Sequence, residues 1–260
     1  EPVVTIPKVL IDILADSTGV ANEYKVIENS AQTFADNINE FSGMIGERQV
    51  GCPLVVHRRC IEPMFSISNM ISYDNRMFNK THKKEDYLKQ EQPFLIKKSG
   101  WINVEGTENG SKDHFVKNQA ERVCQLLENA LHIYTNLYET DDKIFIITPF
   151  RTVAESMRKF VIGYFSVKGY DKEMLTKWTK NCVGTVHTFQ GKDANEVLFV
   201  LGCSDKSVGA MNWVVKKANI LNVACTRAKY RIAFIGNLND WKNRRYFREF
   251  IPKFIDTIDA

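Results

Sequence analysis

Polar side chains that could bind or react cluster in one short segment, VGTVHTFQGKD, which covers residues 183–193. Its apolar start predicts a strand, and the polar residues that follow predict a loop at the carboxyl end of that strand. Three side chains in it carry hydroxyl or imidazole groups: Thr185, His187 and Thr188. With nearby backbone amides, such groups suit contacts to a phosphodiester backbone. Gly191 permits a tight turn, and Asp193 is an acceptor suited to a ribose hydroxyl. On chemistry alone, an ordinary polar turn is an equally open alternative.

A second segment, LNVACTRAKY, covers residues 221–230. We expect Asn222, Arg227 and Lys229 to lie on one helix that includes residues 218–228 and is otherwise small and apolar. Arg227 then stands near the helix C-terminus, where a cation interacts well with the helix dipole. Alternatively, Arg227 is an arginine finger that reaches a γ-phosphate and stabilises transition-state charge, a contribution on the order of 10³ to 10⁵ in rate.

Strands and helices alternate along most of the chain. Apolar runs predict strands at residues 54–57, 143–148, 183–186, 197–203 and 231–236. Apolar residues at helical spacing predict helices at residues 118–138, 153–164 and 218–228. This alternation predicts an α/β fold with a mostly parallel central sheet that is covered on both faces. Ligands of such sheets bind at the carboxyl ends of the strands, which is where both polar segments are expected.

Two regions depart from this order. We expect residues 1–50 to form a helical lead-in, with a helix over residues 32–41 that places Phe34, Ile38 and Phe41 on one face. Residues 79–113 are charged and rich in turn residues. They predict a surface excursion with one or two edge strands.

Composition sets broad limits on the class of protein. The chain has 260 residues, is 44% hydrophobic and carries a formal net charge of +4. This charge permits a nucleic-acid partner without requiring one. The six cysteines form no C-x-x-C pair and have no histidine at zinc-ligand spacing. We therefore expect no metal site and buried thiols in a reducing compartment such as the cytoplasm.

The ends and apolar runs of the chain carry further expectations. No apolar stretch approaches the ~20 residues that cross a bilayer, so no membrane partner is expected. The chain lacks an initiator methionine, which indicates a fragment of a longer protein.

The two polar segments, taken in order with the strand between them, resemble motifs V and VI of superfamily 1 helicases. IITPFR at residues 146–151 resembles motif IV, in which the residues at Thr148 and Pro149 meet the nucleic-acid strand. LVVHRRCIEP at residues 54–63 resembles an element of the superfamily 1B group, in which the position of Arg59 touches the nucleotide phosphates. Residues 65–73 and the opening EPVV also resemble that group.

The chain departs from the usual motifs at a few positions. His57 replaces a glutamine and Arg58 replaces the tyrosine that stacks on adenine. Val153 stands where motif IV often has a glutamine, and Asp193 replaces the commoner glutamate. An arginine at position 58 is able to stack on a base by a cation–π contact.

The resemblance implies that residues 1–260 form the second, C-terminal RecA-like motor domain. This would be a three-layer P-loop NTPase fold without the phosphate loop itself, in which residues 1–50 follow motif III and residues 114–260 carry motifs IV to VI. The implied nucleotide-binding residues are Arg59, Gln190, Gly191, Asp193 and Arg227, of which Arg59 and Arg227 are also catalytic. The implied nucleic-acid contacts are Thr148, Pro149, Thr185, His187 and Thr188.

The resemblance also implies partners. ATP and Mg²⁺ would be held mainly by the first RecA-like domain, with single-stranded DNA or RNA as the other partner. The sequence G-x-x-x-x-G-K-[ST] is absent from the chain, so we expect the chain alone to lack ATPase activity. Besides a helicase, a non-catalytic RecA-like module that binds nucleic acid or protein and an unrelated doubly wound domain are alternatives.

Overall fold

The structure is a computed structural model, and it describes residues 36, 39–45, 48–51, 54–81, 94–108, 110, 113–131, 140 and 143–258. The chain divides into two compact units, Glu1–Val55 and Val56–Ala260. In the first unit, strand β1 (Gly43–Ile45) pairs with strand β2 (Arg48–Val50) in an antiparallel hairpin.

The predicted helical lead-in is only partly covered by the structure. Asp36 is helical, but the expected helix does not reach residue 41, because residues 39–41 are not helical and Phe41 is 77% exposed. The sequence also gave no sign of the hairpin, since strands of three residues are too short to show a periodicity. Phe34, Ile38 and the other residues before position 39, except Asp36, lie outside the described residues.

The second unit begins with a short ribbon. Strand β3 (Val56–His57) pairs in parallel with strand β4 (Phe78–Asn79), and helix α1 (Met64–Ser72) lies between them in the chain. The expected strand is therefore parallel at residues 56–57, but of residues 54–57 only His57 is buried. Leu54 is 91% and Val56 is 45% exposed, because β3 pairs with a two-residue strand outside the main sheet.

A five-stranded parallel sheet forms the centre of this unit, in the order β5-β9-β8-β6-β7. Its strands are β5 (Gly100–Asn103), β6 (Ile144–Thr148), β7 (Val183–Thr185), β8 (Ala194–Val200) and β9 (Ala228–Gly236). Every residue of β6 is buried, as expected for a strand with both sheet faces covered. The predicted α/β fold with a mostly parallel central sheet is confirmed.

Helices flank this sheet. The remaining helices are α2 (Lys117–Leu131), α3 (Arg151–Val167), α4 (Lys172–Cys182), α5 (Val208–Val214), α6 (Asn219–Arg227), α7 (Leu238–Trp241) and α8 (Phe247–Phe254). Helices α1 and α6 pack against each other and against β9, and α3 and α4 pack against each other and against β7. No helix of the described residues is long and apolar enough to cross a bilayer.

Several element boundaries differ from the sequence predictions. Helix α2 ends at Leu131 as far as the structure describes it, and the rest of the expected helix over residues 118–138 lies outside the described residues. Helix α6 ends at Arg227 and β9 starts at Ala228, so Lys229 lies on a strand and not on the helix. Helix α4 was not predicted, although Asp171 caps it by accepting a hydrogen bond from the Met174 N–H at 2.8 Å.

The expected surface excursion at residues 79–113 is wrong in its central part. Strand β5 is an edge strand as predicted, but Ile96 and Trp101 are fully buried. Trp101 is held in place because its indole N–H donates to the Gly236 carbonyl at 2.9 Å. The five described cysteines are buried, as the sequence predicted for them: Cys60, Cys124, Cys182, Cys203 and Cys225.

Candidate nucleotide and nucleic-acid clefts

Three separate segments of the second unit meet around a cavity of about 780 Å³, which we call the arginine cleft. All five residues predicted to bind the nucleotide line it: Arg59, Gln190, Gly191, Asp193 and Arg227. The turn after β3, the loop between β7 and β8, and the end of α6 supply them. The structure thus brings together side chains as far apart in sequence as Arg59 and Arg227, which are separated by about two thirds of the chain.

Arg227 is the last residue of α6 and is only 4% exposed. Its Nη1 donates to the carbonyl oxygens of Phe189 at 3.2 Å and Lys192 at 2.9 Å. Its Nε donates to the Val223 carbonyl at 3.3 Å, and its Nη2 donates to the Thr226 hydroxyl at 3.2 Å. The guanidinium therefore fixes the loop between β7 and β8, which is a structural role that the sequence did not reveal.

The charge around Arg227 is not balanced by a directly bonded acid. Among the described residues, no carboxylate lies within ion-pair distance of its guanidinium. Burial lowers the pKa of Arg227, and the nearby Arg59 lowers it further, while Asp193 acts in the opposite direction. Arg58 also lines the cleft. A cleft with three guanidinium groups around it offers a favourable place for a polyanion such as a triphosphate.

Asp193 and Gly191 shape the loop that faces these arginines. Asp193 Oδ1 pairs with Lys229 Nζ at 2.8 Å, and its side chain is 37% exposed. Gly191 has a φ of +87°, so the expected tight turn is present. An L-residue would be strained there.

His57 organises the turn that presents Arg58 and Arg59. Its ring is 7% exposed, and its Nε2 accepts a hydrogen bond from the Cys60 N–H at 2.9 Å. The Ile61 N–H then donates to the Lys229 carbonyl at 3.1 Å, which ties the turn to β9. The histidine that departs from the usual motif thus closes the arginine turn.

A second cavity of about 500 Å³, which we call the threonine cleft, contains four of the five predicted nucleic-acid contacts. These are Pro149, Thr185, His187 and Thr188. The fifth, Thr148, does not line the cleft, because it is 1% exposed and its hydroxyl accepts a hydrogen bond from the Phe150 N–H at 3.4 Å. Thr148 is therefore unable to offer its hydroxyl to a ligand in this conformation.

Hydrogen bonds fix the hydroxyl groups of the threonine cleft. The Thr185 N–H donates to Thr188 Oγ1 at 3.2 Å, and the two threonine hydroxyls also lie 3.2 Å apart. A side chain on Gly184 would have its Cβ 2.9 Å from Thr188 Cβ. The glycine thus lets the loop fold back on the end of β7.

The threonine cleft also contains residues that sequence reasoning missed. They are Phe150, Arg151, Ala154, Glu155, Arg158 and Trp213. Arg158 donates to the Val183 carbonyl at 2.9 and 2.7 Å, and Arg151 pairs with Glu155 at 2.9 Å. Trp213 is 49% exposed, and this exposure is not visible in the sequence.

One group of described side chains has the composition of a metal site: Glu108, His114 and Cys203. Glu108 already accepts hydrogen bonds from the Ser204 N–H at 2.8 Å and the Ser207 hydroxyl at 2.9 Å, and lies 3.2 Å from His114 Nδ1. Burial acts to raise the pKa of Glu108, but these bonds outweigh it and lower the pKa. Burial raises the pKa of Cys203 to about 12, so its thiol is neutral in this arrangement. We describe this group as a hydrogen-bond network.

Comparisons with known proteins support the helicase resemblance at the level of the family. Residues 40–239, which include most of both clefts, match a family described as an AAA domain. The chain is also similar to a protein of Methanocaldococcus jannaschii named as an uncharacterized ATP-dependent helicase, with 26% identity over 214 residues. That alignment covers 76% of this chain but 28% of the relative, so the chain spans less than a third of that protein's length. Because the family match covers well over half of its residues, the chain belongs to this AAA-domain family.

Proposed function

We propose that the chain is the second RecA-like motor domain of an ATP-dependent superfamily 1 helicase or translocase of the 1B group. In this proposal the chain contributes an arginine that promotes ATP hydrolysis and part of the surface that binds single-stranded DNA or RNA. The first RecA-like domain of the same protein would supply the phosphate loop and the acidic residues that hold Mg²⁺.

The arginine cleft carries this proposal. Arg227 is a buried cation with no carboxylate bonded to it among the described residues, and Arg59 lowers its pKa further. A bound phosphate would offset the repulsion between the Arg227 and Arg59 guanidinium groups, because it brings negative charge to both arginines at once. The Asp193 carboxylate lines the same cleft and would accept a hydrogen bond from a ribose hydroxyl.

The threonine cleft supports the second half of the proposal. It places hydroxyl, imidazole and guanidinium groups around one cavity, with Thr185, His187 and Arg151 among them. Such groups contact phosphate and sugar without reading the sequence of bases. This property suits a motor that moves along a strand of any sequence.

ATP would couple the two clefts through the loop between β7 and β8. Gln190 and Gly191 of this loop line the arginine cleft, while His187 and Thr188 line the threonine cleft. Arg227 is bonded to the Phe189 carbonyl between them. If Arg227 turns toward a γ-phosphate and releases that carbonyl, the strand contacts on the same loop would shift. The proposed step is a change of populations driven by the γ-phosphate.

One observation favours an alternative function, a RecA-like module that binds nucleic acid or protein without catalysis. The guanidinium of Arg227 directs its hydrogen bonds to the Phe189, Lys192 and Val223 carbonyls. In a pure binding module this structural role would be its whole role. The two functions differ in whether ATP hydrolysis depends on the arginine cleft.

The test is ATP hydrolysis by a protein in which this chain is joined to a first motor domain. We expect hydrolysis that is stimulated by single strands and lost in Arg59→Ala, because the phosphates then lack one of their cations. Lys143 lies directly before the start of β6 and does not line either cleft, so Lys143→Ala is the control. Strand binding with no ATP hydrolysis would reject the motor and favour the binding module. We also infer a reducing compartment, since the described cysteines are buried thiols.

A further inference from the structure

Trp213 differs from the other tryptophans of the chain in its exposure. It is 49% exposed, while Trp101, Trp178 and Trp241 are 0%, 2% and 0% exposed. The sequence contains four tryptophans, so Trp213 alone presents its ring to solvent. The ring lies on helix α5 and lines the threonine cleft.

Two further rings support Trp213 from inside the protein. The Phe150 ring lies 5.8 Å from the Trp213 ring between centroids, and the His114 ring lies 4.8 Å from Phe150. His114 Nδ1 in turn lies 3.2 Å from both Glu108 Oε2 and the Ser207 hydroxyl. Phe150 is 8% exposed. In this row of three rings, His114 is thus held by polar contacts at one end and Trp213 is exposed at the other.

The surroundings of this outer ring suit a phosphate backbone. Arg151 has an 88% exposed side chain and, within the described part of the chain, pairs only with the exposed Glu155 on the same helix, a kind of pair that stabilises little. The Thr185 and Thr188 hydroxyls lie on the same cavity. A ligand that fits both features carries a flat aromatic face next to an anion, which is the chemistry of an unpaired nucleotide.

We propose that Trp213 stacks on an unpaired base of a single strand bound in the threonine cleft, with Phe150 as its support. This inference rests on the proposed strand-binding function of the cleft and adds a contact to the base. A base within a duplex has its faces covered by its neighbours, so the contact selects single strands. Stacking tolerates any base, because every base has an aromatic face.

The first test measures affinity. A single-stranded oligothymidylate should bind to Trp213→Ala about 5- to 100-fold more weakly than to the wild-type chain. The slope of affinity against salt should not change, because the phosphate contacts remain. Trp213→Phe should restore most of the affinity. Val208→Ala changes an equally exposed side chain (50% exposed) on the same helix, and it should bind like the wild type.

A second test separates bases from phosphates. An oligonucleotide whose central residues are abasic keeps its phosphates and sugars but offers no ring. It should bind to the wild-type chain and to Trp213→Ala equally. Because Trp213 is the exposed tryptophan, oligothymidylate should also quench the part of the tryptophan fluorescence that acrylamide can reach.

The outcomes distinguish this inference from the proposed function. If the wild type binds oligothymidylate in a salt-dependent manner but Trp213→Ala binds it equally well, base stacking is rejected and the strand-binding function stands. If the wild type binds no single strand even at low salt, base stacking and the strand-binding function of the threonine cleft are both rejected. Strand binding that leaves the Trp213 fluorescence unchanged also rejects stacking.

Discussion

At the scale of single residues, Arg227 has two roles to reconcile. It holds the loop between β7 and β8 through the Phe189 and Lys192 carbonyls, and it lies in the cleft proposed for ATP phosphates. These roles are compatible if the guanidinium exchanges carbonyls for phosphate oxygens during the cycle. A charged hydrogen bond to phosphate is stronger than one to a carbonyl, so the exchange is favourable once ATP is present.

We predict that Arg227→Ala in a protein with both motor domains lowers ATP turnover by about 10³-fold or more, with a smaller effect on nucleotide binding. Arg227→Lys should also be slow, because one ammonium group is unable to reproduce the planar fork of the guanidinium. Steady-state phosphate release and equilibrium nucleotide binding measure the two effects.

A control separates catalysis from folding in this experiment. Arg122 is a distant arginine on α2 whose Nη1 donates to Gln125 Oε1 at 3.2 Å on the surface. Arg122→Ala should turn over ATP like the wild type. Unchanged turnover in a folded Arg227→Ala protein would remove this arginine from the mechanism.

The sequence predicted many of the cleft residues because their motifs stand at fixed places on a parallel sheet. Residues 183–193 follow one strand and Arg227 ends the helix before another, so the topology brings them together. Thr148 shows the limit of this reasoning, because a motif does not reveal that the side chain at the end of β6 is buried. The sequence did not indicate Trp213, because the proposed stacking role of its ring depends on support from Phe150. The two residues are 63 positions apart in sequence and are adjacent only in the fold.

At the scale of elements, the end of strand β8 depends on a glycine. Gly202 has a φ of +62°, and a Cβ at this position would lie 2.6 Å from the His114 carbonyl oxygen. That carbonyl already accepts a hydrogen bond from the Cys203 N–H at 2.9 Å. The glycine therefore fastens the end of β8 to the segment that carries His114.

We predict that Gly202→Ala lowers the free energy of unfolding by roughly 2–4 kcal/mol, from backbone strain and overlap together. Gly163→Ala is the matched control, since Gly163 lies within α3 and its Cβ would meet nothing within 4 Å. It should stabilise the chain by about 0.5–1 kcal/mol, because alanine is the better helix former. Denaturant unfolding measures both changes. Equal effects of the two substitutions would contradict this account of β8.

A buried acid fastens the segment before β5 to strand β8. Glu196 is 1% exposed, and its two oxygens accept hydrogen bonds from the Leu95 and Ile96 N–H groups, each at 2.7 Å. Burial raises the pKa of Glu196 to about 7, although these two N–H groups and Arg231 act in the opposite direction. The folded protein thus binds a proton at Glu196 more tightly than the unfolded chain does.

This raised pKa predicts the pH dependence of stability. Because the folded pKa lies above the unfolded value of 4.5, the contribution is fully present below pH 4.5 and is lost as the pH rises to about 7. The free energy of unfolding should fall by about 2–3 kcal/mol over this range relative to Glu196→Gln, which has no proton to lose. Denaturant unfolding of both proteins at several pH values measures the difference.

The control for this experiment is an exposed acid. Glu121 pairs with Lys117 on α2 with 42% of its side chain exposed. Glu121→Gln should keep the pH dependence of the wild type. If Glu196→Gln also keeps it, Glu196 does not titrate in this range.

The sequence predicted helices and strands well where a long apolar pattern marks them. It predicted them poorly where the position of a strand depends on the strand with which it pairs. Strand β6 and helix α3 have such patterns, and the structure has them near their expected places. The hairpin of β1 and β2 and the ribbon of β3 and β4 have strands of two or three residues, which depend on tertiary contacts. The buried segment at Ile96 and Trp101 was read as surface because polar residues surround it in sequence.

At the scale of the whole molecule, positive charge predominates in the arginine cleft. Three arginines line it, and Asp193, the one carboxylate among its lining residues, pairs with Lys229 at 2.8 Å. Hydrolysis of ATP also needs groups that hold Mg²⁺ and position the γ-phosphate. The cleft provides cations for the phosphates but no unpaired carboxylate among its described residues for the metal.

We therefore predict that the 260-residue chain alone binds inorganic triphosphate weakly and hydrolyses no ATP. Binding should weaken with salt, as expected for contacts between ions, and should weaken further in Arg59→Ala. Phosphate release from Mg²⁺-ATP, measured with and without a single-stranded oligonucleotide, should equal the buffer blank. Robust Mg²⁺-dependent hydrolysis that disappears in Arg227→Ala would contradict the prediction, because a contaminating ATPase would not respond to that substitution. Such a result would mean that the chain holds the metal and the γ-phosphate by itself, and the proposed division of the ATP site between two domains would be wrong.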